Sequence, residues 1–328
     1  MDVTDAPGTK APVTDRKPFQ QIPFSRLPDK PTRPHDFDRT ESRRVDVVTG
    51  ALGEVDTHYR VHGDGPPLLL VHGLMTSNYS WRYVYGPLGE HFRIYAPDLP
   101  GAGRTEKITD RRYDPRALAE WIGAFQKTTD IHGCPVVGNS LGGYLCMWLA
   151  LREPASMSRL VNLHSPGVPT RRLELLGTAS LLPGITRFIA WLARRNPEKW
   201  AHEHVHYYDE TLKSREEAAI YAEPISTREG SIAFAKYMTE TIDPGLMDDF
   251  RDLLQGRRDE GLDFPVPLLL LYAEEDPMVP PEVGESLSEL IPSAEFVTMQ
   301  NASHFAHVDA PERFVRHVLD FLEAAEPA

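Results

Sequence analysis

A serine hydroxyl attacks a carbonyl at neutral pH only when a base takes its proton, and the base needs a carboxylate to hold its tautomer and its charge. The 328-residue chain contains such a set. Ser140 sits in Gly138-Asn139-Ser140-Leu141-Gly142, a G-x-S-x-G pattern. Chance alone puts that pattern in roughly one chain in ten of this length, so its setting decides. The apolar run Pro135–Gly138 before it predicts a buried strand, and the Ala-, Leu- and Met-rich run Leu141–Leu151 after it predicts a helix. A serine on the sharp turn between them has its Oγ lifted clear of the sheet, and side chains at Gly138 or Gly142 would strike the adjoining strand and helix. The bland alternative is a glycine-rich helix start that merely packs closely. Histidine has the pKa a base requires. His304 and Asp276 each follow a run that predicts a core strand, so both are expected at the same sheet edge as Ser140. Glu274 and Glu275 are rival acids, and His307 is a rival base.

The elements that position these residues read as an alternation of strands and helices from Arg44 onward. Val45–Thr49 and Val55–Val61 predict an antiparallel pair, and the unbroken apolar run Pro67–Val71 a strand buried on both faces. A helical stretch at Tyr79–Leu88, a strand at Arg93–Ala96 and a helix at Pro115–Lys127 follow, the last with Asp114 as N-cap. The later strands are Leu160–Leu163, Val266–Tyr272 and Glu295–Met299. Helices are expected near Glu282–Leu290 and from Pro311 to about Ala324. Strands separated by helices mean a mostly parallel sheet with helices on both faces, an α/β protein. From Ser165 to Phe264 the rhythm stops. Leu173–Leu176, Ile185–Leu192 and Phe250–Leu254 are apolar helix faces, which predicts a helical cap inserted between two core strands, over the sheet edge where ligands bind. The expected organisation is an arm at 1–44, core at 45–165, cap at 166–263 and core again at 264–328.

From about Val45 to Leu322 the chain resembles the α/β-hydrolase superfamily, in its serine-nucleophile branch. His72-Gly73-Leu74 looks like that family's oxyanion turn, Asp98-Leu99-Pro100-Gly101-Ala102-Gly103-Arg104 like its D-x-P-G-x-G loop, Tyr272–Pro280 like the stretch that carries its acid, and Ala302-Ser303-His304-Phe305 like its histidine loop. The resemblance implies an eight-stranded-type sheet and a catalytic triad of Ser140, Asp276 and His304. The backbone N–H groups of Leu74 and Leu141 would form the oxyanion hole, with His72 and Gly73 supporting the turn. Asn139 and Phe305 are expected at the substrate pocket. Relatives with an aspartate nucleophile are epoxide hydrolases and haloalkane dehalogenases; Ser140 argues against both activities, as does Leu141 where dehalogenases place a tryptophan. The leading expectation is an esterase acting on a small to medium ester, lactone or thioester. Carbon–carbon hydrolysis of ring-cleavage products is the second, since the G-N-S-x-G-G elbow is similar to theirs, although those enzymes usually carry a tryptophan where Phe305 stands. Perhydrolase chemistry and a non-catalytic receptor role complete the alternatives.

Composition bounds the partners. The formal net charge is -13, which disfavours nucleic acid and anionic membranes and leaves a small molecule as the expected partner. No apolar run is long enough to span a bilayer, and the first residues lack the apolar core of a secretion signal, so a cytoplasmic location is the expectation. Cys134 and Cys146 are expected reduced and buried. His202-Glu203-His204-Val205-His206 could share a face as metal ligands, but no further ligand cluster supports it, and no metal or cofactor is expected. Residues 1–44 hold seven of the 29 prolines and a charge of +2, which reads as an extended, partly disordered arm, its middle pinned by Phe19, Ile22 and Phe24. On that reading, deletion of residues 1–33 leaves kcat nearly unchanged.

Overall fold

The computed structural model describes residues 18–169 and 182–324. The apolar face expected at Leu173–Leu176 lies outside them. Eight strands form one sheet in the order β1-β2-β4-β3-β5-β6-β7-β8. They are β1 (Glu41–Thr49), β2 (Gly53–His62), β3 (Pro67–Val71), β4 (Arg93–Pro97), β5 (Val136–Asn139), β6 (Leu160–Leu163), β7 (Leu268–Ala273) and β8 (Glu295–Met299). β1 and β2 pair antiparallel, β2 joins β4 antiparallel, and every later pairing is parallel. The central strands are continuous apolar runs because side chains alternate across a sheet covered on both faces. Leu69 and Val71 of β3 join the core under α2 (Pro115–Thr128) and α3 (Leu141–Arg152). Leu68 and Leu70 face the opposite core, with Leu88 of α1 (Tyr85–Gly89) and Phe314 of the last helix. Asp114 caps α2, accepting the Arg116 N–H at 2.8 Å. The helical stretch expected at Tyr79–Leu88 is broken into a 3-10 turn, Asn78–Trp81, and α1.

Between β6 and β7 the described chain is helical: α4 (Ile185–Arg195), α5 (Pro197–His204), α6 (Arg215–Ser226), α7 (Arg228–Lys236) and α8 (Pro244–Asp259). After β7 come α9 (Pro281–Leu290), α10 (Ala306–Asp309) and α11 (Pro311–Glu323). One polar tie between cap and core is wholly buried. Arg82 donates to Glu217 Oε2 at the start of α6, while Tyr207 Oη donates to Glu217 Oε1 at 2.8 Å. The Arg82 and Glu217 side chains are 0% and 4% exposed. Arg82 also lies over the Tyr79 and Tyr83 rings.

The N-terminal segment departs from the expectation. β1 begins at Glu41, four residues before the expected Val45, because the polar run Glu41–Arg44 pairs with Val61–His58 at the sheet edge. The described residues before it are packed. Leu27 is buried, and the carbonyls of Pro28 and Asp29 accept the Arg215 and Glu216 N–H groups, which α6 itself cannot satisfy. Arg33 Nη1 donates to Val308 O at 2.6 Å, the Ile22 carbonyl faces His202 Nε2 at 2.9 Å, and Phe19 N–H donates to Tyr208 O. Deleting residues 1–33 therefore removes a buried leucine and the acceptors of a helix start. The expected result, by calorimetry, is a melting temperature lower by roughly 5 °C. An unchanged value would show that these contacts contribute nothing.

Candidate active site

Ser140 joins β5 to α3 with φ 53 and ψ −119, a conformation a non-glycine residue holds only under strain. Its N–H donates to Leu163 O at 2.6 Å and its carbonyl accepts from Tyr144 N–H. The flanking glycines are steric necessities. A Cβ on Gly138 would stand 2.6 Å from Gly143 Cα, and one on Gly142 would overlap the Val71 carbonyl oxygen.

Asp276 lies three residues beyond β7 and His304 five beyond β8, so both emerge at the sheet edge where β5 ends. His304 Nδ1 donates to Asp276 Oδ2 at 2.7 Å. Asp276 Oδ1 accepts the N–H groups of Met278 (2.7 Å) and Val279 (3.0 Å). Burial pushes the Asp276 carboxyl up, but the charge and hydrogen bond of His304 outweigh it and hold the group below the usual carboxylate range. With its proton on Nδ1, His304 has Nε2 free as a base. Ser140 Oγ makes no hydrogen bond among the described residues; contacts of this kind commonly tighten only when substrate binds. The rivals stand elsewhere. Glu274 accepts from Gln300 at the surface, Glu275 makes no bond to His304, and His307 is buried against the Trp81 ring at 4.5 Å.

An apolar cavity with about 370 Å³ of empty volume adjoins this edge. Leu74, Met75, Leu99 and Leu141 line it from the core, and Tyr221, Ile225, Phe234 and Tyr237 from the cap. Leu141 is the first residue of α3, so its N–H has no intrahelical acceptor. The Leu74 N–H also has no acceptor among the described residues. His72 holds the turn that presents it: Nδ1 donates to Gly73 O at 2.8 Å and Nε2 accepts from Leu99 N–H at 2.9 Å. Burial lowers the His72 pKa, which keeps the ring neutral and both bonds intact.

Two expected pocket residues, like Ser140, Asp276 and His304 themselves, are not among the residues that line the cavity. Phe305 packs edge-on against Tyr207, ring centres 5.3 Å apart, because α10 begins at the next residue and turns the ring toward the cap interior. Asn139 is wholly buried in β5, its side chain beside Gly73. The three histidines of 202–206 diverge. His202 faces the Ile22 carbonyl, His204 stacks on Trp200, and His206 meets Glu210.

Two arrangements were missed by sequence reasoning. Ser42 Oγ lies 2.9 Å from His58 Nε2, and His58 Nδ1 lies 2.7 Å from Asp98 Oδ2. This second serine–histidine–aspartate chain lies in and beside the outer strands. Asp98 also accepts the N–H groups of Asn78 and Arg104, so it ties two loops together. The other is His164, one residue past β6, which shares with Asp276 and His304 a set of ligand atoms within 4.8 Å of one another. The donor chemistry does not suit a metal. His164 Nε2 accepts the Ala273 N–H at 2.8 Å, which leaves the ring proton on Nδ1 and no lone pair for an ion. A histidine directly after a core strand at the edge that carries Ser140 was the available signal.

The sequence profile of the alpha/beta hydrolase fold matches residues 66–311, and the chain belongs to that family. It is 27% identical over 282 residues to the 2-hydroxy-6-oxo-2,4-heptadienoate hydrolase of Pseudomonas putida, covering 84% of this chain and 95% of the relative. It is 28% identical over 265 residues to the pimeloyl-[acyl-carrier protein] methyl ester esterase of Aeromonas salmonicida, covering 79% and 96%. A thermophilic esterase from Thermogutta terrifontis has the same fold, with a TM-score of 0.69 at 24% identity over 86% of this chain and 98% of that one. Among the described residues no helix is long and apolar enough to cross a membrane.

Proposed function

We propose that the chain is a serine hydrolase of small, uncharged esters, lactones or thioesters. The observation that carries this reading is the His304–Asp276 pair at the sheet edge that bears the strained Ser140, beside an apolar cavity with two unengaged N–H groups. In acylation His304 Nε2 takes the Ser140 proton while Oγ adds to the substrate carbonyl. The Leu141 and Leu74 N–H groups receive the oxyanion. Collapse expels the alcohol or thiol, which leaves with the proton from His304. Water, deprotonated by His304, then attacks the acyl-enzyme, and the acid leaves as Ser140 regains its proton. Asp276 holds the Nδ1–H tautomer and stabilises the imidazolium throughout.

The ring-cleavage alternative draws support from the Pseudomonas relative, whose named substrate carries a carboxylate. That group calls for a cation near the nucleophile. Among the described residues lining the cavity there is no arginine or lysine, and Phe305 offers no N–H donor. An uncharged acyl chain suits such walls. Short p-nitrophenyl esters are therefore expected to turn over readily, and a vinylogous 1,5-diketone acid at most weakly. With both assayed at equal concentration, a higher kcat/KM for the diketone acid would overturn the ester reading. Fluorophosphonate labelling with peptide mapping is expected to find the adduct on Ser140; an adduct on Ser42 instead would move the nucleophile to the other chain.

A further inference from the structure

The chemistry proposed above gives His164 no task, yet its surroundings are costly. It is wholly buried, and its φ of 54 lies in the left-handed region. Its backbone N–H still pairs with Leu271 O, and its Nε2 then takes the Ala273 N–H, so a side chain extends the β6–β7 ladder after the strand has turned away. That bond commits the proton to Nδ1, and Nδ1 is buried without a hydrogen-bond partner. A buried donor left unpaired is destabilising, so the arrangement calls for a reason. The ring centre lies 5.4 Å from that of His304, and the three side chains offer atoms within 4.8 Å of one another.

We propose that His164 is a positioning residue for the Asp276–His304 pair, its Nδ1–H, which makes no hydrogen bond, serving as a fixed neutral dipole beside the pair that favours the charged Asp276 carboxylate. The inference rests on the triad reading given above. The titratable groups around His164 are Asp276, His304, Tyr272 and His307. Tyr272 Oη is occupied in donating to Ser165 O. Burial pushes the His164 imidazole down to about 3 and that of His307 well below its ordinary value, so both stay neutral. His164 therefore acts through the positive end of an N–H dipole. That end favours a carboxylate at Asp276 and opposes a further positive charge on the pair, so its removal lets the pair take up a proton at higher pH.

Two substitutions separate this role from the structural one. His164→Gln can return an acceptor to the Ala273 N–H, because its Oε1 reaches the position of Nε2, but it carries nothing at Nδ1. His164→Asn supplies an N–H near Nδ1, tolerates a left-handed backbone and loses the acceptor. With p-nitrophenyl acetate, His164→Gln is expected to lower kcat about tenfold, through loss of the N–H dipole beside the buried carboxylate. Its KM should stay within about twofold. The acid limb of its kcat/KM profile should move to higher pH while its melting temperature holds. His164→Asn is expected to keep most of kcat and the original limb while melting lower. A His164→Gln enzyme with the rate and pH profile of the parent would overturn the proposal and leave His164 as a strand-end filler. Ser140→Ala, run beside them, distinguishes the two readings: if it stays active, the triad itself is wrong, whereas an inactive Ser140→Ala with an unaffected His164→Gln rejects only the role of His164.

Discussion

Ser140→Ala is expected to abolish turnover, with kcat falling on the order of 10⁴–10⁶-fold, the loss seen when a member of a cooperating triad is removed. Among the described residues Ser42 is the other serine in a serine–histidine–aspartate arrangement, and it stands on β1 at the sheet edge rather than on the turn between β5 and α3. Stability should change little, because the side chain is small and makes no hydrogen bond within the described residues. The strained φ of 53 is imposed by the backbone bonds to Leu163 and Tyr144, which alanine retains. The measurement is kcat on a p-nitrophenyl ester, with circular dichroism and melting on the same sample. Parent-like activity in a folded Ser140→Ala protein would sink the whole assignment.

Asp276→Asn is expected to cost roughly 10⁴-fold in kcat. The cause is local. Oδ1 is fixed by two backbone N–H groups, from Met278 and Val279, so an asparagine keeps its oxygen there and turns its NH₂ toward His304. His304 Nδ1 must then accept, its proton moves to Nε2, and the base that should face Ser140 becomes a donor. Glu275→Gln, one residue away, should be nearly silent. If the two results came out reversed, the acid would move by one position.

What could be read from the chain and what could not divide along physical lines. Continuous apolar runs such as Pro67–Val71 and Val266–Tyr272 announced the central strands, because burial on both faces leaves only apolar residues acceptable. Gly138 and Gly142 flanked Ser140 because the backbone leaves no room for a Cβ, a demand that appears directly as residue type. The cap was legible only as a change of rhythm. Which of its side chains reach the cavity depends on how helices pack, and Tyr221, Ile225 and Phe234 look no different from other apolar helix residues. The packing of Phe305 on Tyr207 was not legible because its direction is set by the turn into α10. His164 went unnoticed because a lone histidine after a four-residue strand carries no spacing pattern. The packing of the N-terminal segment beyond the expected pins at Phe19, Ile22 and Phe24 was hidden because prolines suppress regular elements, although carbonyls such as those of Pro28 and Asp29 still cap a helix.

The Arg82–Glu217 tie has a consequence for how the protein meets its surroundings. Mobile ions weaken attractions between charges that solvent can reach, and they hardly touch a pair sealed from water. With the Arg82 side chain 0% exposed and the Glu217 side chain 4% exposed, ionic strength is a poor lever on this tie, whereas the exposed Arg116–Asp249 pair between α2 and α8 is open to screening. The buried pair also cannot be parted cheaply, since an unpaired charge left inside costs several kcal/mol. The contact between the 3-10 turn that precedes α1 and the start of α6 should therefore hold from dilute buffer to molar salt, while the α2–α8 contact loses its exposed pair.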